Sequence, residues 1–232
     1  MTDSAPANFD PDRLIRAAGD GALLVLSSRH DEVAKLVAAL RVRLPDGAQD
    51  VLPAAETVLV TLLSPEHAES VRQEIVTLLR ELQQSTAAED SDIVSRGTPP
   101  DNDSPDDPLL VPVHYDGADL AEVARLLDRT EAEVIAEHTG TVWRCAFVGF
   151  APGFGYLESP DARLTVPRRP QSRTTIPAGA VALAGGYSAV YPRSTPGGWH
   201  LIGTTGLRMW DVDRDPPSLI RAGGFVRFVA ET

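Results

Sequence analysis

Lysine is nearly missing from this sequence. Lys35 is the single one against twenty arginines, and it lies in the helix-patterned stretch EVAKLVAAL rather than after a glycine loop. That placement excludes a P-loop nucleotide site, a Schiff-base enzyme built on PLP, and the SxxK type of hydrolase. Cysteine is as scarce: Cys145 alone forms neither an internal disulfide nor half of a CxxC zinc knuckle. In the apolar run Val142 to Phe150 it reads as a small buried hydrophobe, a nucleophile being the alternative. The apolar stretches, such as Ala22 to Leu26, fall far short of the ~20 residues a bilayer demands. The N-terminal MTDSAPANFD has neither a basic nor an apolar leader segment, so a cytoplasmic protein with no membrane partner is expected. GxSxG, HExxH and a strand-borne GxGxxG are absent too, and no metal site is expected.

Basic residues are outnumbered. Twenty-one Lys and Arg against 33 Asp and Glu give a net charge of −12, which repels phosphates and puts a general nucleic-acid role at a disadvantage, so no nucleic-acid partner is expected. Half of that charge sits in one place. Residues 84–108, QSTAAEDSDIVSRGTPPDNDSPDDP, hold seven acids, one arginine and four prolines. Such a composition buries too little apolar surface to offset its ordering entropy and reads as an acidic flexible linker or insertion. It separates an N-terminal α/β domain, 1–83, from a second domain, 109–232, and 232 residues suffice for two such cores.

In the first domain GALLVLSS (21–28) reads as a buried strand. Asp31 to Leu44 reads as an amphipathic helix with Val33, Leu36, Val37, Leu40 and Leu44 on one face. Glu56 to Leu63 repeats the strand pattern, and Ser64-Pro65 supplies N-cap and first turn for a helix carrying Val71, Ile75, Leu78, Leu79 and Leu82. After the linker come a strand near Leu109 to His114, a helix from Asp119 to Asp128, and a second helix to about His138. Thr130-Glu131-Ala132-Glu133 opens the latter as a capping box. From Thr141 onward short β-branched runs alternate with glycine and proline, among them RLTVP, RTTIP, AVALAG, WHLIGTT and LRMWDV. Twelve of the eighteen glycines fall between Gly149 and Gly224, the turn density of a closed or nearly closed β-barrel.

Two proline-glycine loops flanked by aromatics stand out, Ala151 to Tyr156 and Ser194 to Trp199. From spacing alone these loops read first as tight barrel corners with core-filling aromatics; the alternative is that Phe154, Tyr156, Tyr191 and Trp199 wall an apolar pocket with Pro196, Gly197 and Gly198 at its edge. Arg163, Arg168, Arg169 and Arg173 crowd into eleven residues. Arg173, leading into RTTIP, is the one expected to clamp an anion, while Arg168 and Arg169 read as a solvated edge. His138, at the end of a capped helix, suits the helix dipole, and His200 faces away from Trp199.

These residues also carry a resemblance. GFAPGFGYL at 149–157, Pro167-Arg168-Arg169, Ile176 to Val181, Leu183-Ala184-Gly185, Val190-Tyr191-Pro192, Thr195 to Trp199 and Leu201-Ile202-Gly203 closely resemble the KipI / allophanate hydrolase subunit-one family. That family includes the B subunit of bacterial 5-oxoprolinase and the matching part of urea carboxylase. The likeness covers nearly the whole chain, with GDGALLV, VPVHYDG, EVIAEHTG and GGFVRFV also fitting.

The resemblance implies an α+β protein whose N-terminal α/β sandwich precedes a C-terminal cyclophilin-like β-barrel, with the strand and helices of 109–140 leading into it. It implies a non-autonomous subunit of an ATP-dependent amide or lactam hydrolase resembling 5-oxoprolinase, which converts pyroglutamate to glutamate. The implied partners are a protein like allophanate hydrolase subunit two and a third subunit. ATP is consumed by the complex, no cofactor is tightly held, and biotin enters only on another chain. His138, Phe154, Arg173, Tyr187, Tyr191, Pro196, Gly197, Gly198, Trp199 and Thr204 would line a groove that orients a small carboxylate-bearing substrate. The alternatives are a KipI-like inhibitor of a sensor histidine kinase and a carboxyltransferase half of a biotin-dependent enzyme. The sequence departs from the family pattern at two places: Tyr187-Ser188-Ala189 replaces Gln-Thr-Gly, and Thr204 replaces an arginine.

Overall fold

The structure, a computed structural model, describes residues 11–27, 30–85 and 104–231. Of the acidic stretch expected as a linker, residues 86–103 lie outside the described residues. The chain divides into two compact units, Met1–Gly97 and Thr98–Thr232.

In the first unit a 3-10 turn at Pro11–Leu14 leads into β1 (Ile15–Ala17) and β2 (Ala22–Leu26), followed by α1 (His30–Val42), β3 (Ala48–Pro53), β4 (Thr57–Leu62), a 3-10 turn at Pro65–His67, and α2 (Ala68–Ser85). The strands form an antiparallel sheet in the order β1-β2-β4-β3. Buried and half-buried positions alternate along β2 and β4, as a strand with one covered face requires. Leu23, Val25, Val58 and Val60 from that face share a core with Leu36 and Leu40 of α1 and Val71 and Ile75 of α2. Two local expectations change. α1 stops at Val42 and leaves Leu44 exposed, because Pro45 disfavours helix in the residue before it. Ser64 sits at the N-cap position, but its hydroxyl bonds the His67 ring instead of a helix amide.

The second unit opens with β5 (Leu109–Val113), α3 (Leu120–Leu126) and α4 (Glu131–Gly140). β6 (Val142–Val148), β7 (Gly155–Glu158), β8 (Arg173–Ile176), β9 (Ala180–Ala184), β10 (Tyr187–Val190), β11 (Thr195–Gly197), β12 (His200–Thr204) and β13 (Phe225–Ala230) follow. The capping box of α4 is complete, Thr130 and Glu133 each bonding the other's backbone amide. Seven strands form one sheet in the order β12-β9-β10-β7-β6-β13-β5, and β8 and β11 pair separately as a ribbon. Just past β5, the backbones of His114 and Thr204 exchange hydrogen bonds of 2.9 and 2.8 Å, so the first and last strands of the sheet meet. The fold is therefore mixed α/β with a nearly closed, barrel-like sheet. Its interior holds Val111, Val113, Trp143, Cys145, Leu157, Val181, Leu183, Ile202 and Phe228, with Val123 of α3 and Val134 of α4 packed among them.

RLTVP and LRMWDV do not form strands. Leu164, Val166 and Met209 are nonetheless buried in the barrel core, anchoring coil by single side chains, which produces a strand-like composition without a ladder. Among the described residues no helix is long and apolar enough to cross a membrane.

The seam where the barrel closes depends on a glycine. A Cβ on Gly203 would lie 2.5 Å from the His114 carbonyl oxygen and 2.7 Å from Val113 Cγ1. Gly203→Ala is expected to cost about 1–3 kcal/mol through overpacking, read as a lowered urea midpoint; an unchanged midpoint would show that the seam yields freely.

Candidate functional site

The two faces of the barrel sheet carry different chemistry, and the register sorts the sequence-derived site residues between them. Tyr187 lies opposite Ala184 and Glu158, Leu201 opposite Ala182, and Thr204 opposite Ala180, all on the outer face. Ser188, opposite Leu183 and Leu157, points inward.

On the outer face Ala180, Ala182, Ala184 and Ala189 form a flat floor beneath a cluster of rings. The Phe154 ring makes edge contacts with Tyr156, Tyr191 and Trp199 at centroid distances of 5.0, 5.3 and 5.6 Å. Tyr187 extends the cluster to Tyr156 and Phe147. Such edge-to-face pairs suit the ring quadrupoles. The rings fill a core, as their spacing alone suggests, and the open groove that the family resemblance implies is covered. Ile176 of the β8–β11 ribbon packs into the same cluster, and Phe154, Tyr191 and Trp199 are all buried. Gly197 and Gly198 allow that cover to lie close, since a Cβ on Gly197 would meet Tyr191 Oη at 2.5 Å and one on Gly198 would meet Ser172 Oγ at 2.9 Å. Pro196 is exposed at the tip. At the rim stands Phe150, 58% exposed, at a φ of 65° and edge-on to Phe154 and Tyr191.

His138 belongs to the other face. It is fully buried inside the barrel, with Tyr115 Oη 2.7 Å from Nδ1, Ser188 Oγ 2.8 Å from Nε2, and the Phe228 ring stacked at 4.2 Å. Burial pushes its pKa down to about 3, so the ring is neutral at physiological pH and does not serve the helix dipole as a cation. Hydroxyl, imidazole and orienting phenol have the spacing of a nucleophile–base relay. Sealed in the core, Ser188 meets no substrate, so the trio is a polar strut. Where the family pattern has Thr, Ser188 keeps the hydroxyl this strut needs. The Cys145 thiol is also buried, its pKa pushed up to about 12 by burial, which leaves it inert.

The clustered arginines divide their work. Arg163 pairs with Asp161 at 2.7 Å. Arg173 does not await an external anion: its two terminal nitrogens each donate at 2.8 Å to the carboxylate of Asp119. Arg169 donates to the same carboxylate at 2.5 Å, and the Leu201 amide at 2.8 Å. Burial would raise the Asp119 carboxyl, but the Arg173 hydrogen bond, the Leu201 amide and the two guanidinium charges outweigh it and hold the pKa below the ordinary carboxylate value. Sequence reading missed Asp119, which precedes α3 in an ordinary N-cap setting and lies 54 residues from Arg173. Thr204 donates to Asp116 at 3.0 Å, a seam contact rather than a ring contact.

Asp119, Glu122 and His200 bring potential metal-ligand atoms within 4.8 Å of one another. A cation does not fit there. Both Asp119 oxygens already accept two hydrogen bonds each, from two guanidiniums and an amide, which uses its lone pairs and places two positive charges beside the cluster; His200 Nε2 lies 3.1 Å from the Pro167 carbonyl oxygen, while its Nδ1 is buried without a partner.

Comparison with known proteins agrees with this architecture. The family model described as "Carboxyltransferase domain, subdomain C and D" matches residues 13–220. The B subunit of 5-oxoprolinase from Escherichia coli O157:H7 is 44% identical over 126 residues, 53% of this chain and 58% of that one. The match thus spans a little over half of the relative's length. The crystal structure of TTHA0988 superposes with a TM-score of 0.66 at 30% identity, over 91% of this chain and 40% of that one. The Kluyveromyces lactis urea carboxylase shares the fold at 16% identity, with a TM-score of 0.69 over 94% of this chain and 22% of the other. With nine-tenths of its length inside the family model, the chain belongs to the family of carboxyltransferase domains, subdomains C and D.

Proposed function

We propose that this chain is a non-autonomous subunit of an ATP-dependent amide or lactam hydrolase resembling 5-oxoprolinase, with pyroglutamate as substrate and glutamate as product. The observation that carries the reading is the 44% identity to the B subunit of a 5-oxoprolinase. The chemistry of the chain supports non-autonomy: its hydroxyl–imidazole pair and its thiol are both sealed in the barrel core, so an exposed nucleophile must come from elsewhere. Opening the lactam breaks the ring C–N bond; water delivers hydroxyl to the carbonyl carbon and a proton to the nitrogen, while ATP hydrolysis drives the step. ATP would be held by another subunit, a reading supported by the lack of a P-loop lysine here: the single lysine, Lys35, is exposed on α1. The implied partners are a protein like allophanate hydrolase subunit two and a third subunit, in the cytoplasm. The nearly closed seven-stranded sheet supports reading the second unit as a cyclophilin-like barrel.

The carboxyltransferase alternative has the urea carboxylase fold in its favour and would need biotin delivered on another chain. The kinase-inhibitor alternative calls for an unfilled aromatic groove, and the covered rings count against it. Reconstitution tests the reading. Purified chain alone is expected to release no glutamate from pyroglutamate and ATP, and the mixture with the subunits encoded beside it is expected to turn over. Failure of every mixture would overturn it.

A further inference from the structure

The sheet of the first unit has a second face, and no helix of that unit covers it. Both α1 and α2 share their core with Leu23, Val25, Val58 and Val60, so the alternate positions of β2 and β4 point the other way. Those positions are apolar across the middle of the sheet. The pairing register sets Arg16, Leu24, Leu59 and Leu52 in one row from β1 to β3, Arg16 opposite Leu24, Leu24 opposite Leu59 and Leu59 opposite Leu52. The next row holds Ala22, Thr61 and Asp50. Leu52 is 47% exposed and Leu24 and Leu59 are half-buried, and none of the three belongs to the core of the unit.

The charges stand at the two edges. Arg16 on β1 and Asp50 on β3 are both exposed, and Arg16 makes no hydrogen bond or ion pair among the described residues. Asp50 Oδ1 accepts the Val51 amide at 2.7 Å, which leaves Oδ2 open. A cation at one edge, an anion at the other and leucines between them make a face that is complementary to itself.

We propose that two copies of this chain associate through this face, leucine row on leucine row, with Arg16 of each protomer paired to Asp50 of the other. A two-fold axis running along the strands lays β1 of one protomer over β3 of its partner, so both ion pairs form at once. An axis running across the strands would set β1 on β1 and bring the two guanidiniums together, and the charges therefore select the first. In that arrangement Leu24 of one protomer meets Leu59 of the other, and Leu52 packs on the aliphatic stem of Arg16. Asp50 lies one row away from Leu52, about 7 Å along the strand, which an extended arginine spans, and aligned sheets crossing at about 30° shorten the gap. Four strands about 4.8 Å apart, each with about five residues of about 3.4 Å, make a face of roughly 300 Å2. Two such faces bury roughly 650 Å2, short of the ~1,200–2,000 Å2 of a stable interface. The dimer is therefore weak and dissociates on dilution.

Sedimentation of the full-length chain from about 10 μM to about 1 mM, the range in which a weak complex assembles, tests the pairing. Wild type is expected to pass from monomer towards dimer. Arg16→Asp and Asp50→Arg are each expected to weaken the dimer about tenfold, since either one turns two attractions into two repulsions. The double variant, with both charges exchanged, is expected to return to within about threefold of wild type, a recovery that a merely misfolded single variant would not show. Arg80→Asp, on the exposed side of α2, makes the same change of net charge away from the face and is expected to leave the dimer intact. A monomer at every concentration overturns the proposal, as does a dimer that both single variants leave unchanged or that the double variant fails to restore. A wild-type monomer whose association with the subunits encoded beside it is blocked by Leu52→Asp would assign the face to those subunits and overturn the self-pairing. None of these outcomes bears on the hydrolase reading, which reconstitution tests separately.

Discussion

Asp119→Ala is expected to destabilise the protein by about 3 kcal/mol, the low end of what removing one partner from a buried ion pair costs. The carboxylate is the single acceptor for both Arg169 and Arg173 and also takes the Leu201 amide. Its loss leaves two like charges side by side and an unsatisfied amide where α3 meets β12. The guanidiniums are about a quarter exposed, so water recovers part of the cost, which is why the low end applies. Arg173→Ala should cost less, because Arg169 and the Leu201 amide still serve Asp119. The carboxyl pKa is lowered in the folded state, so its stabilisation is full above the unfolded carboxylate pKa near 4 and is lost as pH falls through the lower folded value. Urea unfolding of the full chain at pH 7 measures the effect. A loss below about 1 kcal/mol in Asp119→Ala would mean the cluster is solvated rather than structural.

What the sequence conveys and what it withholds follow from separation along the chain. The capping box at Thr130 and the alternation of β2 and β4 are local and legible. The arginine density is visible too, but not its division of labour. Arg173 and Asp119 are 54 residues apart, and nothing local distinguishes an arginine paired inside the molecule from one facing solvent. The rings of 150–156 and 187–199 are recognisable as one group. Their cover is not, because β8 and β11 are short and pair only with each other. His138 is readily placed at a helix end, while the partners that bury and neutralise it, Tyr115 and Ser188, come from 23 and 50 residues away. The departure at Tyr187-Ser188 also splits once the register is known: Tyr187 alters the outer face, and Ser188 serves the interior.

His138 gives the second large effect, and it depends on pH. A buried histidine whose folded pKa is about 3 takes up no proton at pH 5 to 6 while folded, whereas the unfolded chain does, with a pKa near 6.5. The unfolded state therefore binds more protons across this range, and stability falls as the solution is acidified. The contribution is full above pH 6.5 and declines below it by about 1.4 kcal/mol per pH unit, to a ceiling of about 5 kcal/mol at pH 3. Carboxylates, Asp119 among them, obscure the lower part of the window, so the slope is best read between pH 5 and 6.5. His138→Gln keeps a donor and an acceptor for Tyr115 and Ser188 and removes the titration. It is expected to be less stable at pH 7, through poorer packing against Phe228, and to lose one proton's worth of slope. Groups common to both proteins cancel in the difference. Equal slopes for wild type and His138→Gln would mean that His138 protonates within the folded barrel, which the sealed Tyr115–His138–Ser188 strut does not allow.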